Sequence, residues 1–191
     1  MGKIILCRGK KADTPLTVLQ TGVKLYTAEE LCYYIYNNIY LIGQDFIDDN
    51  LISFLDETGE KELAERVRKL KETGGSLAQI FVIILKTIDY YSVAEIEQLK
   101  GILNTLGKQS VCERLKARGD GYLNAGYYFA AVRCYESIIK DYKGKDLLAA
   151  DYAKVYHNLG TAYARMFMYD KAVIYYDEAY SCLLYTSDAA D

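Results

Sequence analysis

The sequence "YHNLGTAYARMFMYDKAVIYY", residues 156–176, places aromatic and small residues at the spacings of an α-helix. Its first part has an adjacent leucine and glycine that both lie three or four positions from an aromatic before them and from a tyrosine after them, and its second part has an alanine four residues before a tyrosine. These residues are Tyr156, Leu159, Gly160, Tyr163, Ala172 and Tyr176. Small residues allow two antiparallel helices to approach closely, and larger ones fill the space between them. The stretch therefore predicts a pair of packed antiparallel helices.

A second stretch, "LKARGDGYLNAGYYFAAVRCY", residues 115–135, repeats this pattern 41 positions earlier. The matching pairs are Gly119 with Gly160, Tyr122 with Tyr163, Tyr128 with Tyr169, Ala131 with Ala172 and Tyr135 with Tyr176. The earlier copy departs from the later one at its start, where Leu115 replaces the first aromatic and Arg118 replaces the leucine. We expect two consecutive copies of one helix-pair unit.

The later copy resembles the tetratricopeptide repeat, in which an aromatic, Leu-Gly, Tyr and a later Ala and aromatic recur in this order. The resemblance covers residues 110–181 and implies an α-solenoid with repeats at about 112–145 and 153–186. The usual repeat has 34 residues. The longer spacing here therefore predicts about seven extra residues in "DYKGKDLLAADY", residues 141–152, which would lengthen helices or widen the loop between repeats.

In this family the first helix of each pair lines a concave groove that holds a peptide or a helix of another protein. The resemblance implies that the groove candidates are Lys116, Asp120, Asn124, Lys154, His157, Asn158, Thr161 and Arg165, with Glu113 and Leu123 beside them. Lys116 and Asn158 would suit the capture of a C-terminal carboxylate, whereas Asp120 would repel one. A general peptide groove is therefore preferred.

The rest of the chain predicts a different organisation. Residues 1–26 contain the β-type runs "KIILC" and "LTVLQTGVKLYT", which predict a hairpin or a three-stranded element. Residues 27–109 predict a separate helical domain, since no Gly, Tyr, Ala pattern recurs there. Its first helix would begin at a capping box formed by Thr27 and Glu30 and end at Gly43, and a second would cover about residues 45–55.

Two later helices of this domain also have start signals. Ser76 would cap an apolar helix over residues 77–90, and Ser92 with Glu95 would form another capping box. The chain as a whole is therefore predicted to be mainly α-helical, with a small N-terminal β-hairpin, a helical domain and the repeated helix pairs.

The composition limits the classes of function. Lys and Arg number 23 against 26 Asp and Glu, so the basic excess of a nucleic-acid-binding protein is missing. No apolar run reaches the length of a membrane span, and we expect a cytoplasmic protein. Five scattered cysteines and a single histidine, His157, predict no metal site and no cofactor.

Three classes of function remain open. The favoured hypothesis is a non-enzymatic scaffold that binds a protein or peptide partner. The second is a regulator that senses a peptide through its repeats and acts through the N-terminal domain. The third is an enzyme that uses Cys7, whose pKa the basic residues of "RGKK" would lower if they lie close to the thiol.

The final ten residues, Cys182 to Asp191, resemble the translation of a transposon end and sequencing adapter. We therefore expect that this segment is not native, that Ser181 is partly encoded by the adapter, and that the sequence derives from assembled DNA fragments. The natural chain would continue with further repeats. An apolar side of the last helix, around Val173, Tyr176 and Tyr180, would then lack its neighbour.

Overall fold

The computed structural model describes residues 7–142 and 147–187, and side chains up to residue 184. The chain divides into two compact units, Met1–Lys108 and Gln109–Asp191. Within the described residues there are nine α-helices and one two-stranded sheet, which confirms the predicted mainly helical fold. None of the helices in these ranges combines the length and apolar character needed to cross a membrane.

The first unit begins with an antiparallel β-hairpin. Strand β1 covers Leu16–Val18 and β2 covers Val23–Leu25, with Thr17 opposite Lys24. This confirms the predicted hairpin, while most of "KIILC" lies outside the described residues. Alternation along the strands points Leu16, Val18 and Leu25 inward, where they join the hydrophobic core formed by the helices of this unit.

Five helices complete the first unit: α1 Ala28–Asn37, α2 Asp49–Glu57, α3 Lys61–Glu72, α4 Leu77–Ile88 and α5 Val93–Lys108. The predicted capping box of Thr27 and Glu30 is present, and Ser76 caps α4 as expected. Ser92 and Glu95 exchange the reciprocal bonds of a capping box at the start of α5. These local predictions are confirmed because a cap depends only on residues three positions apart.

Two predicted helix limits in this unit are wrong. Helix α1 ends at Asn37 and not at Gly43, because the amides of Asn37 and Asn38 donate to the carbonyls of Tyr33 and Tyr34, at 2.8 and 3.0 Å. Side-chain bonds of this kind compete with helix continuation. The next helix begins at Asp49 because Asp48 caps it, and the preceding residues Gln44–Phe46 form a 3-10 turn.

The second unit consists of two helix pairs, α6 Val111–Asn124 with α7 Tyr128–Asp141, and α8 Ala149–Arg165 with α9 Tyr169–Ser187. Helix α8 packs against both α7 and α9. It has 17 residues against 14 in α6, so some of the extra residues lengthen this helix. The others lie in the connection after α7, where residues 143–146 are outside the described ranges. Helix α9 includes Cys182–Ser187 of the adapter-like segment.

The two pairs share one close contact between a glycine and a tyrosine ring. A Cβ atom added to Gly119 would lie 2.6 Å from Cε1 of Tyr135, and one added to Gly160 would lie 2.9 Å from Cδ1 of Tyr176. Carbon atoms need about 3.5–4.0 Å between them. Any side chain at either glycine would therefore push the ring away, and the 41-residue offset in the sequence corresponds to the same contact made twice.

We predict that Gly119→Ala destabilises the second unit by about 1–3 kcal/mol, because the fully buried ring of Tyr135 has no room to move. The matched control is Gly101→Ala in the middle of α5, where nothing lies within 4 Å of the added methyl group. That change should stabilise the protein by about 0.5–1 kcal/mol. Urea denaturation would measure both, and an equal gain in stability from the two alanines would contradict the contact.

Candidate functional site

The predicted groove residues lie on α6 and α8, the first helix of each pair. Residues spaced by three or four positions share one side of a helix. The polar face, as we call this set, consists of Lys116, Asp120 and Asn124 on α6, and Lys154, His157, Asn158, Thr161 and Arg165 on α8. These side chains are half-buried or exposed. Each glycine contact fixes the first helix of a pair, which carries these side chains, against the second helix of the same pair.

Asp120 is the centre of a hydrogen-bond cluster on this face. Its Oδ2 accepts from the ammonium group of Lys116 at 3.0 Å. Its Oδ1 accepts from the hydroxyl of Tyr135 at 2.6 Å and from Nδ2 of Asn158 at 2.9 Å. One carboxylate therefore joins α6, α7 and α8. Hydrogen bonds to an ionised acceptor are stronger than neutral ones, so the cluster holds the polar face in a defined arrangement.

The two residues suggested for a carboxylate clamp already bind a carboxylate of the protein itself. Lys116 and Asn158, which the sequence suggested for binding a chain end, both donate to Asp120 in this structure. The negative charge of Asp120 lies next to the positive charge of Lys116. The pair contributes no net charge to the middle of the face, which leaves amide and hydroxyl groups as its main chemistry.

Tyr135 provides the link between the core and the polar face. Its side chain is fully buried, and its hydroxyl donates a hydrogen bond to Asp120. Burial raises the pKa of the Tyr135 hydroxyl, and the hydrogen bond to the Asp120 carboxylate raises it further. The hydroxyl therefore stays protonated and acts as a permanent donor. The sequence assigned Tyr135 to packing alone, although a buried tyrosine hydroxyl needs a partner.

The second helix pair has a corresponding but uncharged cluster. Thr161 and Tyr176 occupy the positions 41 residues after Asp120 and Tyr135, and their hydroxyl oxygens lie 3.2 Å apart. Thr161 also donates to the carbonyl of His157 at 3.0 Å, and the ring centroid of His157 lies 5.3 Å from that of Tyr176. The tyrosine hydroxyl thus reaches the same position of the first helix in both pairs.

The other candidates lie around these two clusters. Lys154 forms an ion pair with Asp151 at 3.2 Å. Asn124 and Arg165 are exposed at the last positions of α6 and α8. The structure therefore brings Lys116, Asp120 and Asn158 together in one cluster and leaves Lys154, Asn124 and Arg165 at its margins.

Glu136 is a polar residue that the sequence pattern did not indicate. Its Oε1 accepts from the hydroxyl of Tyr163 at 2.9 Å, which connects α7 to α8. The ring of Tyr163 also stacks on that of Tyr175 with centroids 5.4 Å apart. Burial and the Glu136 carboxylate raise the pKa of Tyr163, so this hydroxyl also remains a donor. The sequence could have indicated such a contact, because the hydroxyl of a buried tyrosine needs a hydrogen-bond acceptor.

The surroundings of Cys7 bear on the enzyme hypothesis. Cys7 is exposed, and its Sγ accepts a hydrogen bond from Oγ1 of Thr27 at 3.2 Å. The next two backbone amides, of Arg8 and Gly9, donate to Oε1 of Glu29 at 2.7 and 2.8 Å. Burial opposes the charge of Glu29, but these bonds hold its pKa below the usual value. The first two amides of "RGKK" are therefore occupied by a carboxylate of the protein itself.

No protein-family model, curated protein or solved structure matches this chain. Within the part of the chain that the structure describes, no group of three His, Cys, Asp or Glu residues could hold a metal ion. The function is therefore inferred from the geometry of the chain, in which the polar face is the largest set of predicted site residues that the fold brings together.

We predict that Tyr135→Phe lowers stability by about 1 kcal/mol at neutral pH, because Asp120 loses a donor. It should also reduce the loss of stability in alkali. The folded-state pKa of Tyr135 is raised above the unfolded value of about 10, so its contribution is complete below about pH 10 and is lost as the pH rises further.

Urea denaturation of both proteins at about pH 9 and pH 11 would measure this difference. Wild type should lose about 1.4 kcal/mol more than the variant one pH unit above the unfolded pKa. The other tyrosines are present in both proteins and cancel in the comparison. Parallel losses in the two proteins would show that Tyr135 is not the protonated donor described here.

Proposed function

We propose that the chain is a non-enzymatic interaction protein whose second unit is a tetratricopeptide-like array. The polar face of α6 and α8 binds an extended peptide or a helix of a partner protein. The observation that supports this most is the repeated contact of Gly119 with Tyr135 and of Gly160 with Tyr176. It brings the first and second helix of each pair together in the same way, and the hydrogen bond from Asn158 to Asp120 holds α8 beside α6, so that the two first helices can act as one recognition surface.

The chemistry of the face favours recognition of a peptide backbone. Asn158 directs its Nδ2 toward Asp120 and Tyr135, at 2.9 and 3.4 Å, which leaves its Oδ1 for a backbone N–H of the partner. Because the amide is already oriented, binding loses little side-chain entropy at this position. The exposed ends of the face, Asn124 and Arg165, would contact side chains of the same peptide.

We also propose that this protein acts in the cytosol. None of the described cysteines forms a disulfide bond, and Cys32, Cys112 and Cys134 are buried. Buried thiols that form no disulfide are typical of proteins from reducing compartments. Fractionation of cells that express a tagged full-length chain would test this assignment.

Selection of peptides from a random library displayed on phage, against the immobilised full chain, tests the proposed groove. We expect enriched peptides whose affinity falls about tenfold in Asn158→Ala, which removes the oriented amide from the middle of the face. Arg165→Ala should weaken binding less, since this side chain is exposed and contributes at the rim.

The control for this experiment is Glu178→Gln, an exposed position on α9 outside the polar face. It should leave the affinity within about twofold of wild type, because surface changes away from an interface have little effect. Circular dichroism would establish that each variant is folded. Selected peptides that bind both groove variants as tightly as wild type would reject the polar face as the binding site.

A further inference from the structure

A groove in the first unit lies between the β-hairpin and helix α2. One wall is formed by β1 and the residues on either side of it, including Thr17 and Leu19, and the other includes Asp48, Ser53 and Glu57. No residue of β2 is among the described residues that line it. Because β2 is the one described strand that pairs with β1, the groove lies along the unpaired edge of β1. We call it the edge groove.

Helix α2 runs along this edge in the direction opposite to β1. Before β1, the backbone N–H of Thr14 donates to Oε2 of Glu57 at the end of α2, at 3.2 Å. After β1, Nε2 of Gln20 donates to Oδ2 of Asp45, which precedes α2, at 3.0 Å. The edge groove therefore follows the whole of β1, with Glu57 at one end and the capping residue Asp48 at the other.

The unpaired edge determines the shape of a ligand that fits the edge groove. Such an edge presents backbone N–H and C=O groups on alternate residues, and an extended peptide can pair with them as an additional strand. Leu19, at the end of β1, is 82% exposed and offers an apolar contact to a side chain of that strand. The edge groove therefore favours an extended peptide over a helix.

The charge of the edge groove indicates which side chains the peptide carries. Neither Asp48 nor Glu57 forms an ion pair with a residue that the structure describes, whereas Asp49 and Asp56, on another side of α2, pair with cations of α3 at 2.7 and 3.9 Å. No lysine or arginine is among the described lining residues. The edge groove is therefore negatively charged and complements a basic peptide.

The distance between the two carboxylates matches a spacing in an extended chain. Asp48 and Glu57 are nine positions apart, which corresponds to about 13–14 Å along a helix. Side chains four positions apart on a strand point to the same side and are separated by about 13 Å. Two basic residues with this spacing can therefore reach both carboxylates at once.

From the unpaired edge and these charges we propose that the edge groove binds an extended basic segment of a partner protein as a third strand beside β1. Lysine or arginine residues four positions apart in that segment contact Asp48 and Glu57. A second copy of this chain fits less well, because pairing through β1 would bring the carboxylates of both copies together. The edge groove belongs to the first unit and the polar face to the second, so the two sites can be tested separately.

A short fluorescent peptide of sequence GKTVTKG serves as the probe, because its lysines are four positions apart and threonine and valine favour an extended chain. Fluorescence anisotropy measures its binding to the full chain. We expect saturable binding that the double variant Asp48→Asn, Glu57→Gln weakens at least about fivefold. Both changes remove a charge but keep an acceptor for the cap of α2 and for the N–H of Thr14.

The matched control is the double variant Asp49→Asn, Asp56→Asn. It removes the same charge from the same helix, at positions that pair with α3 and do not line the edge groove. Its affinity for the peptide should stay within about twofold of wild type, since exposed charges outside a binding site are screened by salt. Circular dichroism would establish that both double variants are folded.

Two N-methylated forms of the peptide test the pairing with the backbone of β1. Methylation at the valine nitrogen and at the first threonine nitrogen removes N–H groups that point to opposite edges of an extended chain. We expect one form to bind about tenfold more weakly and the other to bind as the unmodified peptide does. Equal effects would show that the lysines bind without strand pairing and would overturn the proposed third strand.

Two further results would also overturn the proposal. These are the absence of saturable binding, as expected if another segment of the chain fills the edge groove, and equal affinities of the two double variants. Light scattering covers the remaining occupant. A dimer of the full chain that the peptide dissociates would assign the edge groove to a second copy instead.

Discussion

The contact between a glycine of the first helix and a tyrosine ring of the second determines the geometry of both helix pairs. Gly119 and Gly160 have no Cβ atom, so the rings of Tyr135 and Tyr176 lie directly on the helix backbone. From that position each ring extends across the first helix. Its hydroxyl therefore reaches the residue after the glycine, which is Asp120 in one pair and Thr161 in the other. Packing of the core and placement of the polar face result from the same interaction.

The two pairs differ in the partner that the tyrosine hydroxyl meets and in the burial of its ring. In the first pair the acceptor is ionised, and the packing of α8 adds Asn158 as a donor and buries Tyr135 completely. In the second pair the partner is a neutral hydroxyl, and Tyr176 remains half-buried, while Val173 one turn earlier is exposed. The difference lies in the neighbours of the second helix, because α7 packs against both α6 and α8, whereas the extensive packing of α9 is against α8.

The sequence predicted the parts of this structure that depend on short spacings. The Gly, Tyr, Ala pattern at an offset of 41 predicted two helix pairs, and capping boxes predicted where α1 and α5 begin. Ser110 and Glu113 form a capping box of the same kind at the start of α6, which the repeat pattern alone did not indicate. The predicted end of α1 was wrong because consecutive asparagines bind backbone carbonyls through their side chains.

The arrangement of the polar face could be predicted only in part. The spacing placed Lys116 and Asp120 one turn apart on α6, which is sufficient for their ion pair. The roles of Tyr135 and Asn158 depend on distances between side chains of different helices. The spacing of residues along the sequence does not give those distances. The sequence indicated only that Asp120 would repel a C-terminal carboxylate, whereas in the structure it organises the residues around it.

If α6 and α8, joined through Asp120 and Asn158, form one peptide-binding surface, a bound peptide must contact both helices at once. Chemical-shift mapping by NMR, with a library-selected peptide added to the full-length ¹⁵N-labelled chain, tests this most directly. We expect the largest shifts at Lys116, Asp120, Asn158 and Thr161, with small shifts at Ile174 on the far side of α9. Shifts confined to Met1–Lys108, or centred on α9, would contradict a binding surface on α6 and α8.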